Sequence, residues 1–110
     1  MSEARLAAGI EAAAFVRRAE QAGGFAAVLH KGDVERGALL LAVRERGVPV
    51  ACLARLLGPD GRYGWARVAA DADRIAEFLE KRRRADPDEW QIELDIPSAE
   101  RFIAETTDMG

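Results

Sequence analysis

From Trp90 to Ile96 the chain alternates strictly: Trp90, Ile92, Leu94 and Ile96 are apolar, while Gln91, Glu93 and Asp95 are polar. Side chains of a strand point to opposite faces in turn, so this stretch predicts a half-buried strand with its polar residues toward solvent. The rest of the chain must supply what covers its apolar face.

Three shorter apolar runs come earlier, Phe25 to His30, Ala38 to Val43 and Val48 to Leu57, separated by Gly32-Asp33 to Gly37 and by Gly47-Val48-Pro49. They read as consecutive strands. Gly58-Pro59-Asp60-Gly61 then forms a four-residue hairpin loop, the proline presetting one torsion and the glycines accepting positive φ. The next strand, Tyr63 to Val68, pairs back. That loop length sets Leu57 opposite Arg62, Leu56 opposite Tyr63, Ala54 opposite Trp65 and Cys52 opposite Arg67.

Helices bracket these strands. The alanine-rich stretch from about Glu11 to Ala22 has high helix propensity, and Gly23-Gly24 supplies a left-handed stop. Two apolar arcs compete on it. Leu6, Ile10 and Ala13 share one with Arg17, which is then buried or snorkelling, whereas Ala12, Phe15 and Ala19 define the other. Asp71 caps a second helix running to about Arg84, with Ile75, Phe78 and Leu79 on its apolar side. Asp86-Pro87-Asp88 terminates it, and Pro97-Ser98 starts a last helix carrying Phe102 and Ile103. The expected fold is α+β, a mostly antiparallel sheet of about five strands with two to three helices in one layer pair, order α-β-β-β-β-α-β-α.

At 110 residues, 49% hydrophobic and 32% charged, the chain matches one globular domain spanning 1–110. A net charge of −3 and a pI near 5.2 make nucleic acid an unlikely partner. The longest apolar run, Gly37 to Val43, is far short of a bilayer span, and the N-terminus has no leader-like apolar stretch. Cys52 is the only cysteine, which excludes an internal disulfide. A reducing cytoplasm is the expected setting.

Few residues can carry chemistry: one histidine (His30), two lysines (Lys31, Lys81) and no asparagine. Lys31-Gly32-Asp33 with Arg36-Gly37 resembles an anion-holding loop, although an ordinary Gly-Asp turn explains it as well. The basic run Lys81-Arg82-Arg83-Arg84 suits the C-terminal end of a helix dipole better than a phosphate backbone. Trp65 and Trp90 are core pillars or ligand platforms. Glu93 and Asp95, about 7 Å apart on one strand face, form half a divalent-cation site if a loop acid such as Asp33 or Glu35 joins them. No cofactor motif is present.

Arg17-Arg18-Ala19-Glu20 leading to Gly23-Gly24-Phe25-Ala26, then Lys31-Gly32-Asp33 with Gly37, and finally Asp86-Pro87-Asp88-Glu89-Trp90-Gln91-Ile92-Glu93, resemble a bacterial family classed as domain of unknown function 1491. The resemblance spans nearly the whole chain and names no activity. It implies an aromatic residue just before Asp86, where this chain has Ala85, and an apolar residue at Glu89.

Two functional expectations follow. One is a non-catalytic binding or interaction domain, a homodimer or a protein-binding module, with Arg17, Lys31, Asp33, Trp65 and Trp90 as ligand-contact candidates and an open sheet edge available for pairing. The other is a small metal-dependent hydrolase or phosphate-handling enzyme using Glu93 and Asp95.

Overall fold

The computed structural model describes residues 7–108. Helix α1 (Ala8–Gln21) is followed by β1 (Phe25–His30), β2 (Leu39–Glu45), β3 (Val48–Leu57), β4 (Tyr63–Ala69), α2 (Ile75–Ala85), β5 (Trp90–Asp95) and α3 (Ala99–Asp108). This is the predicted order. The strands form one sheet in the order β1-β5-β2-β3-β4, antiparallel except for the β2–β5 pair.

The expected run of four consecutive neighbouring strands is therefore broken, because β5 inserts between β1 and β2. The physical reason lies in β2. Leu39 through Val43 are all buried, the pattern of an interior strand covered by a layer on each face, and its second backbone edge is paired by β5. The eight-residue connection between His30 and Leu39 spans the extra strand, a gap of about 10 Å at the usual strand spacing.

Helices cover both faces, not one. Against the first face, Ala8, Ala12, Phe15 and Ala19 of α1 and Ala99, Phe102 and Ile103 of α3 pack on Leu41, Val43, Leu53, Trp65, Trp90, Ile92 and Leu94. On the second face a smaller cluster joins Leu40, Ala42, Cys52 and Ala54 to Ile75, with Phe78 and Leu79 of α2 at its margin. Since β5 is interior to the sheet, its polar side is not simply solvated. Gln91 is fully buried; its amide donates to the Leu79 carbonyl at 2.7 Å, and its oxygen accepts from Arg83 at 3.0 Å.

The competing arcs of α1 resolve in favour of Ala12, Phe15 and Ala19. Ile10, Ala13 and Arg17 are exposed, and Leu6 lies outside the described residues. Arg18, one position on, is the arginine that packs. Its guanidinium lies 5.2 Å from the Phe15 ring centroid and 4.6 Å from that of Phe102, and it donates to the Thr106 hydroxyl at 3.1 Å.

The β3–β4 register is shifted by one residue from the expected pairing: Leu57 faces Tyr63, Arg55 faces Trp65 and Leu53 faces Arg67. The loop holds five residues because Gly61 takes φ 79° and Arg62 then turns its carbonyl back to accept the Gly58 N–H at 2.7 Å. Trp65 is thus set against a cation, with the Arg55 guanidinium 4.5 Å from its ring and the Phe15 ring edge-on at 5.2 Å. Arg55 in turn forms a two-pronged ion pair with Glu11 of α1.

Asp71 caps the turn leading into α2, accepting from the Asp73 N–H at 3.1 Å. No helix among the described residues is long and apolar enough to cross a membrane.

Burial in the second-face cluster pushes the Cys52 thiol up to about 11, with the charge of Arg82 opposing. The unfolded chain, ionising near 9.0, loses this proton first, so stability falls as pH rises between about 9 and 11. Urea denaturation across that range should give a decline of about 2 kcal/mol in the wild type that Cys52→Ala lacks. Identical slopes in the two proteins would contradict the burial of this thiol.

Candidate functional site

The Lys31–Gly37 loop and the Asp86–Trp90 turn, far apart in sequence, pack directly on each other. The Asp33 N–H donates to the Asp88 carbonyl at 2.9 Å, His30 Nε2 to the Pro87 carbonyl at 2.9 Å, and the Trp90 indole N–H to the Asp33 carbonyl at 2.8 Å. The approach requires glycine: a Cβ at Gly32 would overlap the Asp88 carbonyl oxygen, and one at Gly37 would meet the same atom.

Below this contact lies Glu89, only 2% exposed, at the position where the family resemblance implies an apolar residue. Its two carboxylate oxygens accept from Arg82 at 3.2 and 2.5 Å, and the Arg82 guanidinium rests 5.6 Å from the Phe78 ring. A buried carboxylate must be paired and hydrogen-bonded to be tolerated, and this fork supplies both conditions. The basic run is otherwise engaged by neighbours, Lys81 with Glu77 at 3.2 Å and Arg84 with Glu80 at 2.6 Å.

The residues singled out by sequence therefore divide by role. Asp33 organises its own loop, its carboxylate accepting from the N–H groups of Arg36 at 2.8 Å and Glu35 at 2.9 Å, which holds its carboxyl below the usual range. Trp90 and Trp65 are buried in the first-face core, and the Trp65 indole N–H has no partner among the described residues. Arg17 and Lys31 are exposed. Glu93 is paired with Arg44 at 3.0 Å, and Asp95 accepts from the N–H groups of Arg46 and Gly47 at 2.9 and 2.8 Å, holding the tight β2–β3 turn. Among the described residues, no three His, Cys, Asp or Glu side chains converge to hold a metal ion.

A surface missed by residue-by-residue reading of the sequence is the β1 edge. Phe25-Ala26-Ala27-Val28-Leu29-His30 has only β5 beside it, and among the described residues its backbone bonds to no other element. Phe25 is 61% exposed, Val28 49% and Leu29 38%. Val34, on the loop leaving β1, and Ile10, beside the Gly9 N–H that donates to the Val34 carbonyl at 3.0 Å, are exposed as well. The opposite edge, β4, carries Arg67, which is paired with Glu100 at 2.8 Å. Charges on an edge strand discourage pairing with another chain; β4 has one and β1 has none. The sequence signal was present in a six-residue run without Lys, Arg, Asp, Glu or Pro, but the run marks an edge only once β5 is known to sit inside it.

The comparisons with known proteins agree on the fold. Residues 6–104 match the family model described as "Protein of unknown function (DUF1491)". The crystal structure of a DUF1491 family protein from Caulobacter crescentus CB15 is similar at 32% identity and a TM-score of 0.74, covering 84% of this chain and 90% of that one. The NMR structure of a DUF1491 family protein from the same organism matches at 31% identity and 0.71, covering 86% and 89%. The solution structure of protein Atu0922 from A. tumefaciens matches at 29% and 0.70, covering 84% and 86%. No curated protein matches the chain.

Because the Gly32 contact is with backbone, which cannot swing away, Gly32→Ala should lower stability by about 2 kcal/mol in chemical denaturation. A loss below about 0.5 kcal/mol would mean that the loop and turn do not lock together.

Proposed function

The chain belongs to the DUF1491 family, and from that premise we propose that it is a single-domain, non-catalytic interaction protein whose contact surface is the β1 edge and whose partner in solution is a second copy of itself. One observation carries the reading: β1 is an open, apolar edge strand free of formal charge and proline, while the other edge of the same sheet bears an arginine. Unpaired N–H and C=O groups along such a strand bind another strand by extending the sheet, and apolar side chains beside it add affinity. A strand without formal charge is compatible with its own antiparallel copy, and pairing two identical strands about a two-fold axis closes the assembly at two chains.

Support also comes from what the polar residues already do. Glu93, Asp95, Asp33, Arg82 and Glu89 are engaged in internal contacts, so the carboxylates once suited to a cation serve the fold. We place the protein in the cytoplasm, where its one thiol, buried at Cys52, stays reduced.

Sedimentation at micromolar concentration tests this. The wild type should sediment as a dimer, and Leu29→Lys, on the β1 edge, should weaken association about tenfold or more through like-charge repulsion across the axis. A wild type that stays monomeric throughout the range overturns the proposal.

A further inference from the structure

The hydrogen bonds of β5 determine which backbone groups of β1 are left facing outward. On the β2 side of β5, the Trp90 N–H donates to the Ala38 carbonyl at 2.8 Å and the Ile96 N–H to the Arg44 carbonyl at 2.9 Å. Backbone groups alternate sides along a regular strand, and the β2–β5 register runs from Leu39↔Trp90 to Arg44↔Asp95 without a shift. The even residues of β5 therefore address β2 and the odd ones address β1. Phe25 lies opposite Asp95 and Ala27 opposite Glu93, which turns the backbone groups of both toward β5. Those of Ala26 and Val28 point away from the sheet.

This outward row ends on each side. The Gly24 N–H donates to the Ala19 carbonyl at 2.9 Å. Beyond Val28 the register against β5 shifts, Leu29 being the extra residue of a bulge between Val28 and His30. A bulge bends its strand and interrupts pairing. Ala26 and Val28 alone remain to bond another strand.

A second β1 that extends the sheet about a two-fold axis runs antiparallel to the first, with the axis normal to the sheet. Facing residues then lie on the same side of the sheet, so their numbers sum to an even value. Registers centred on Ala26, Ala27 or Val28 put outward groups opposite each other. Centring on Ala26 leaves Val28 facing Gly24, whose N–H is taken, and centring on Val28 leaves Ala26 facing the far side of the bulge. Centring on Ala27 sets Ala26 opposite Val28 of the second copy and Val28 opposite its Ala26, so every outward N–H and C=O of both copies is matched. Ala27, which is exposed, then meets its own copy as a non-hydrogen-bonded pair, the closer kind, and its methyl side chain permits that approach.

We infer that the two copies of β1 pair antiparallel with Ala26 opposite Val28 and the two Ala27 residues facing each other across the two-fold axis. The register rests on β1 being the dimer contact and adds the residue at its centre.

Single cysteines at Ala26, Ala27 and Val28 test it, oxidised with diamide at a concentration where the wild type sediments as a dimer; the native Cys52 is buried. A disulfide needs Cα atoms within about 7 Å. Ala27→Cys would meet its copy at about 4.5 Å, whereas Ala26→Cys and Val28→Cys, each two residues out of step with its own copy, would stand about 8–9 Å apart. Fast cross-linking is expected for Ala27→Cys alone. Val28→Pro, which removes an outward N–H and no bond to β5, should weaken association about tenfold or more. A dimeric wild type in which Ala27→Cys is not the fastest to cross-link overturns the register and leaves the dimer standing, and unchanged association in Val28→Pro overturns it too. A wild type that stays monomeric overturns both.

Discussion

Everything in this molecule is arranged around β5, a strand with a neighbour on each side and helices over both faces. Its even residues meet α1 and α3, which an apolar side chain satisfies without further conditions. The odd residues must be matched one by one. Gln91 is held from α2, Glu93 by Arg44, and Asp95 by two N–H groups of the β2–β3 turn. Each of these partners lies on a different element, so the polar side of one strand ties together α2, β2 and the turn that follows it. A buried donor or acceptor left without its partner costs about 1–3 kcal/mol, and this makes the matching a constraint on the fold as well as a contributor to it.

The same logic explains two of the three stretches that gave the chain its family resemblance. Lys31-Gly32-Asp33 and Asp86-Pro87-Asp88-Glu89-Trp90 each look like candidate binding loops in isolation, but together they close the end of the sheet where β5 enters. Gly32 and Gly37 allow the backbones to touch, the Trp90 indole reaches across to Asp33, and Glu89 with Arg82 fills the space beneath. Where an apolar residue was implied, this chain has a charge together with its counter-charge.

Much of the fold was legible in the sequence because it depends on local periodicity. The alternation from Trp90 to Ile96, the alanine-rich helix ending at Gly23 and the cap at Asp71 all follow from short-range rules. What was not legible depends on non-local pairing. Nothing in the order of the runs says that β5 inserts between β1 and β2, and Gln91 is the residue whose burial follows from that insertion. The hairpin register slipped by one because Arg62 belongs to the loop once Gly61 adopts its left-handed conformation. Of the candidate site residues, Asp33, Trp90, Glu93 and Asp95 each have a partner within the fold, which depends on non-local contacts that the sequence could not reveal.

With the polar side of β5 matched within the fold, the exposed β1 edge is where we propose that the protein meets a second copy of itself. Backbone amide hydrogen exchange, followed residue by residue as protein concentration rises, addresses this most directly. The outward-facing amides between Phe25 and His30 should become slower to exchange at higher concentration, while those of β4 stay unchanged. Exchange in β1 that is fast and independent of concentration would contradict it.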